Sequence, residues 1–403
     1  MRLIGRAAPR FFILTLGIIG YSCTEGPQEL PTKATASQEL HVDSSQRAKS
    51  FEFAPLDLPF PAGVAATNDV VFVGSPVEGR VVALSRTQGA PLGELPSPPG
   101  GFVLPFILKH IAKNRIAVLD AGGFPSPLPI VPVNPTIYEY DVRFSPHSGF
   151  SATLTRTVSF ATVTVGFAEN ILRLNDGRYL LADALLGSIW IAELDGTIHP
   201  GIVPRTSSRQ DAIPQLYYCN TMPLIQVGGI PFLFTDSTLP GVATLAAREG
   251  VLYFHSSCAG ALWSIPLASL FDARPPYARA ADIRLVSPKP QDVVVEELLD
   301  ATFDPNNPTD RHLYAADALQ LRLIRIDVQT GERQVVADNP KLFNFPSSLG
   351  FFPRATHDGI VSELVVVSNQ QHRTPLTNDA ITEDMLQLPF VATKVMVPNS
   401  RAP

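Results

Sequence analysis

Charge, metal-binding cysteine pairs and long apolar runs are all scarce in this sequence of 403 residues. Asp, Glu, Lys and Arg make up only 17% of it, where about 25% is usual in a soluble domain. So little charge argues against a long disordered protein, a coiled coil or a supercharged nucleic-acid binder. The 3 cysteines include no pair at zinc-site spacing. There is no HExxH run, no GxSxG elbow, no Walker loop and no GxGxxG. Metalloprotease, serine α/β-hydrolase, kinase and dinucleotide-enzyme readings therefore lose their usual support. No basic block is present either, so no phosphate-tracking surface is visible and nucleic acid is not an expected partner.

What the sequence does have is proline. Its 38 prolines are nearly twice the usual share of about 5%. Proline removes a backbone donor and clashes inside a helix, so long helices are disfavoured. With 45% apolar residues, the composition describes a large, well-buried, β-rich protein.

The beginning of the chain reads as an export signal. Arg2, Arg6 and Arg10 precede the apolar run Phe11 to Tyr21, which is shorter than the roughly 20 residues a spanning helix needs. Gly20-Tyr21-Ser22-Cys23 resembles a bacterial lipobox, with Gly20 where leucine is preferred; Gly20 and Ser22 also suit ordinary cleavage. Residues 24–50 are polar and nearly free of large apolar groups. The expected organisation is a signal peptide over 1–22, a polar tether over 23–50 and a folded domain over 51–403. The expected location is the periplasm or cell envelope, with a possible lipid anchor at Cys23 as the only membrane contact, or else secretion. Loss of residues 1–22 moves the formal charge from −6 to −9. Cys219 and Cys258 remain, and an oxidising compartment permits but does not require their pairing.

A repeat dominates the rest. A short apolar strand ending in Asp or Ser, a turn and a second strand recur six times. The strand ends are Ser75, Asp120, Asp183, Ser256, Asp317 and Ser368. The second blade's partner strand is delayed to Ile137, and the sixth has its partner at Val391 to Val397. The repeats exceed the 40–50 residues of a plain blade, so long loops are expected in several of them. No copy is long enough to bury its own apolar face. Radial stacking solves this and leaves only short edges. The expected fold is all-β: a six-bladed β-propeller of four-stranded antiparallel blades, expected to be a monomer. The recurring carboxylates at Asp120, Asp183 and Asp317 read as turn-formers. Trp190 and Trp263 read as core between blades, and His255 as a partly buried structural histidine, with acid–base work at the channel as its alternative.

The segments ENILRLNDGRYLLADALLGSIWIAELDG (169–196) and LDATFDPNNPTDRHLYAADALQLRLIRIDVQTGE (299–332) resemble the six-bladed propellers of the regucalcin/gluconolactonase family, with strictosidine synthase-like and NHL-type propellers as cousins. The resemblance covers most of residues 55–397. It implies lactone hydrolysis with one divalent metal, Ca²⁺ first, held at the channel mouth by Glu, Asn and Asp from separate blades. Asn170 matches the family's Asn, and Asp300 falls at its Asp and is the expected catalytic residue. The family's Glu position holds Pro61-Ala62-Gly63 here. Glu169 is the one acid near enough in sequence to stand in, although alternation turns it away from Asn170. Two functions remain open: a metal-dependent hydrolase of lactones or small esters, and a non-catalytic propeller that binds a small ligand or a protein partner.

Overall fold

The computed structural model describes residues 48–124, 133–145, 147, 149–206, 211–216, 223–234, 241–256, 260–353 and 361–398. It is a six-bladed β-propeller. From the axis outward, blade 1 consists of Val64–Ala66, Val70–Ser75, Arg80–Ser85 and Pro91–Glu94; blade 2 of Pro105–Ala112, Arg115–Asp120, Thr136–Ser145 and Gly149–Ser159. Blade 3 follows with Ala168–Arg173, Tyr179–Asp183, Ser188–Ala192 and Ile198–Ile202; blade 4 with Val242–Arg248, Val251–Ser256, Ala261–Pro266 and Arg284–Ser287. Blade 5 has Leu298–Phe303, His312–Asp317, Arg322–Asp327 and Arg333–Ala337. In blade 6, Pro346–Phe351, Val361–Ser368 and Phe390–Pro398 come from the end of the chain, and Lys49–Leu56 adds the outer strand.

That last pairing closes the ring. Lys49 lies opposite Met396 and Leu56 opposite Phe390, antiparallel throughout. Ala54 and Leu56 are buried in a cluster with Val71, Val365 and Phe390, so the first strand seals blade 6 against blade 1. A second tie lies alongside: Arg86 of blade 1 donates from Nη2 to Glu363 of blade 6 at 2.6 Å and stacks over Phe352.

The apolar cores lie between blades, as a stacked repeat requires. Leu119, Ile171 and Leu181 share one such cluster, with Trp190 packed against it. Leu180, Ile191 and Phe254 share the next, with Trp263 alongside. Both tryptophans thus occupy the inter-blade positions the repeat assigns them. The innermost strands run from an upper face, where each begins, to a lower face. While residues 267–283 of blade 4 cross the lower face, most of the long connections lie on the upper one. One of them carries a hairpin, Ile225–Val227 with Ile230–Phe232, which packs its Val227 and Phe232 on Ala243, Leu299 and Phe345. Both ends of the described chain, Ala48 and Pro398, lie on the lower face.

Candidate functional site

The six segments that lead into the blades are the first residues of the innermost strands themselves. Five of those strands carry a bulge at the same height, at Pro105/Ile107, Ala168/Asn170, Val242/Thr244, Leu298/Ala301 and Pro346/Ser348. A bulge re-aims the side chains beside it. These bulges bring one residue per blade to a common level: Gly63, Ile107, Asn170, Thr244, Asp300 and Ser348, of which Ile107 packs into the core between blades 2 and 3. Blades 3 to 6 supply polar groups there, and blades 1 and 2 do not. Lys109, two residues beyond Ile107 and so on the same strand face, fills the gap.

Asp300 is the hub. It is fully buried. Its Oδ1 accepts from Lys109 Nζ, from the amide of Ala301 at 2.9 Å and from Asn170 Nδ2 at 3.3 Å. Its Oδ2 accepts from Ser348 Oγ at 2.9 Å and from the Leu349 amide at 3.2 Å. Ser348 Oγ in turn accepts from the Val64 amide at 3.2 Å, and Thr244 donates to the Leu298 carbonyl. All six blades thus meet in one network, crossed by a lysine–aspartate ion pair.

Against a divalent cation this ring fits poorly. Calcium takes six to eight oxygen ligands. Here five donors already occupy the two oxygens of Asp300, and one donor is a full positive charge. Asn170 turns its NH₂ group inward, held by Asp300 and by the Ala243 carbonyl at 3.0 Å. Its oxygen, the atom a metal would use, is buried without a partner, the one feature that leans toward a missing ligand. The first-blade position is Gly63, where a Cβ would stand 2.7 Å from the Leu108 nitrogen and 2.7 Å from the Phe106 oxygen. No glutamate fits there. Among the described residues, no group of three His, Cys, Asp or Glu side chains is placed to hold a metal.

Glu169 lies one step above this level, at the channel mouth. Burial alone pushes its carboxyl up to about 8. Facing the same mouth from the lead into blade 5 is Glu297, buried, with Oε2 unpartnered. Burial raises this carboxyl, and the nearby charges of Glu169 and Asp317 raise it further. His372 stacks on Phe345 at 5.5 Å, and both its ring nitrogens are buried without partners. Burial, then the charge of Arg373, lowers its pKa to about 3.

The strand-end carboxylates do structural work. Asp120 accepts from the amides of Val103 and Leu104, both at 2.7 Å. Asp183 accepts from Gly166 at 2.9 Å, Phe167 at 3.1 Å and Leu186 at 3.1 Å. Each carboxylate ties the incoming strand to the turn beside it. Asp317 instead pairs with Arg322 at 2.8 Å. His255 is fully buried, with its nitrogens 3.0 Å from the Ala261 carbonyl and 3.3 Å from that of Glu296, a structural placement. Cys23, Cys219 and Cys258 lie outside the described residues, as do the leader and most of the tether.

Lys109, Glu297 and His372 were not singled out from the sequence. Only Lys109 carried a usable signal, its i+2 relation to a ring position in a strand that otherwise offers none.

No family model matches the sequence, and no curated protein matches it. Solved structures do. A gluconolactonase from Xanthomonas campestris is 12% identical, with 88% of this chain and 93% of that one covered and a TM-score of 0.49. A calcium-binding regucalcin from Agrobacterium tumefaciens is 12% identical over 88% of this chain and 96% of its own, TM-score 0.48. The PQQ-bound aldose sugar dehydrogenase of Streptomyces coelicolor is 12% identical over 87% and 99%, TM-score 0.45. The six-bladed propeller is read from this chain's own six four-stranded sheets. One architecture with such different chemistries gives no guide to substrate.

Proposed function

We propose that this chain is a binding propeller of the cell envelope rather than a metal-dependent hydrolase. The observation that carries the reading is the Lys109 ammonium on Asp300. The channel has its own cation at the level where a metal would sit, so no metal-bound step is assigned to Asn170, Asp300 or Glu169.

The upper face is the binding face. Among the described residues, eight of the twelve large apolar side chains left exposed stand on its loops, Val103, Val294 and Leu388 at 61%, 70% and 72% exposure among them. Scattered single exposures are ordinary, whereas concentration on one face marks an interaction surface. These residues come from the loops of five blades, a spread that suits a polypeptide partner better than a small molecule. The described chain starts at Ala48 on the opposite face. The leader and Cys23 support export and anchoring. Photo-crosslinking in cells tests the reading: a probe at Val103, Val294 or Leu388 captures a defined envelope protein, and one at Leu194 on the lower face does not. Equal capture from both faces would refute it.

A second reading has one observation behind it. A carboxyl near pKa 8 is protonated at neutral pH and suits a general acid. Metal-free hydrolysis of a lactone at the mouth would run through Glu169, survive chelator and vanish in Glu169→Gln.

A further inference from the structure

On the upper face, residues 369–389 connect the strands Val361–Ser368 and Phe390–Pro398 of blade 6. Three of the eight large apolar side chains exposed on that face stand on this one loop: Leu376 at 47%, Met385 at 46% and Leu388 at 72%.

The loop is held in place by its own hydrogen bonds. Gln370 and Gln387 join its two arms: the Gln387 amide donates to Gln370 Oε1 at 2.7 Å, and Gln370 Nε2 donates to the Gln387 carbonyl at 2.6 Å. The Met385 amide donates to the Arg373 carbonyl at 2.8 Å. Thr377 Oγ1 donates to the Gln371 carbonyl at 2.7 Å. Buried Asn378 fastens the loop to the hairpin, accepting from the Leu233 amide at 3.0 Å and donating to the Pro231 carbonyl at 2.9 Å. A platform tied in this way presents its apolar groups at little ordering cost, which is the preorganisation a docking surface needs.

Charge decides what docks. The loop carries three acids, Asp379, Glu383 and Asp384, all exposed, and one base, Arg373, whose Nε donates to Asn344 Oδ1 at 3.2 Å. The neighbouring lead into blade 6 adds one residue of each sign, Asp338 and Lys341. The platform is therefore apolar and acidic. An anionic lipid surface is repelled by it. A second copy of the chain, docked on the same patch about a two-fold axis, would set acid against acid. The occupant these charges favour is a polypeptide with basic and apolar side chains.

We propose that the loop of residues 369–389 docks a basic, apolar segment of a protein partner. The partner's Lys or Arg side chains meet Glu383 and Asp384, and its apolar side chains cover Leu376, Met385 and Leu388. This rests on the upper face being the binding face, and it names the partner's chemistry.

The test places a photoreactive residue at Met385 or Leu388 of the full chain in cells, with Val103 and Val294 as further probe sites, and sequences the crosslinked segment by mass spectrometry. A partner segment with Lys or Arg beside apolar residues is expected. Glu383→Lys/Asp384→Lys should cut its yield about tenfold by setting base against base. Glu52→Lys, at an exposed acid of the first strand, should leave the yield unchanged. A thermal melt checks that each variant is folded. Should the double variant not fold, the Leu388 probe in Leu376→Ser decides: unchanged yield there overturns the proposal. A lipid, a second copy or an acidic segment in the crosslink overturns it, as does a yield indifferent to charge reversal. Capture at Val103 and Val294 with silence at Met385 and Leu388 overturns it and leaves the binding propeller standing. Silence at all four positions defeats that reading and this one together.

Discussion

Replacing Lys109 by Met removes the cation from the centre of the propeller and keeps most of the side-chain volume. Asp300 stays fully buried with four neutral donors left, the nearest being Ser348 Oγ and the Ala301 amide, both at 2.9 Å. Breaking a buried ion pair by deleting one partner costs about 3–5 kcal/mol. The remaining donors and the 16% exposure of Lys109 place this case at the low end, about 3 kcal/mol, or a fall in Tm of about 4 °C. Urea unfolding followed by circular dichroism reads this directly. The double variant Lys109→Met/Asp300→Asn removes both charges and should recover most of the loss, because replacing both members of such a pair is often neutral. Simple additivity of the two single variants, or no loss in Lys109→Met, would refute the idea that this pair holds the channel together.

Other expectations follow from single positions. Gly63→Ala places a Cβ 2.7 Å from backbone atoms of blade 2 and should cost about 1–3 kcal/mol by overpacking, measured by the same unfolding assay. Stability should peak near pH 6. The raised carboxyls of Glu169, about 8, and Asp183, about 6, stabilise fully below their unfolded values and lose that contribution as pH rises through their folded values. The lowered imidazoles of His255 and His372, both about 3, stabilise above the unfolded histidine value and lose it as pH falls toward 3. Glu169→Gln should make the alkaline limb shallower, with the raised Glu297 carboxyl keeping part of it, which thermal melts from pH 5 to 9 would show. Deleting residues 1–56 removes the strand that closes blade 6, with Ala54 and Leu56 from its core. That protein should fail to fold cooperatively, whereas deletion of residues 1–47 should leave the melt unchanged.

Much of the fold was legible because a repeat states the same physical solution six times. The column from Ser75 to Ser368 marks one end of every second strand, and Asp120 and Asp183 tie backbone amides as expected, whereas Asp317 pairs with Arg322. The delayed partner strand of blade 2 and the last partner in blade 6 were also legible, since apolar alternation survives the proline-rich excursion between Asp120 and Thr136. The closing strand at Lys49–Leu56 was not, because a strand that completes a distant blade carries no repeat of its own. The site was legible only in part. Asn170 and Asp300 do meet in the channel, at 3.3 Å. What they meet around is Lys109, from a blade whose ring position is the apolar Ile107. Sequence spacing within one strand cannot show that a long side chain crosses to blade 5. Nor could it show that Glu297, an ordinary acid in a polar-looking lead-in, is buried near Glu169 with Oε2 unpartnered.

The most direct test of the central claim is calorimetric titration of chelator-treated protein with Ca²⁺, Mg²⁺, Mn²⁺ and Zn²⁺, in the wild type and in Asp300→Ala. With Lys109 as the channel's own cation, no saturable binding that depends on Asp300 should be seen for any of the four. Binding near one equivalent that disappears in Asp300→Ala would contradict that assignment and restore the metal-dependent hydrolase.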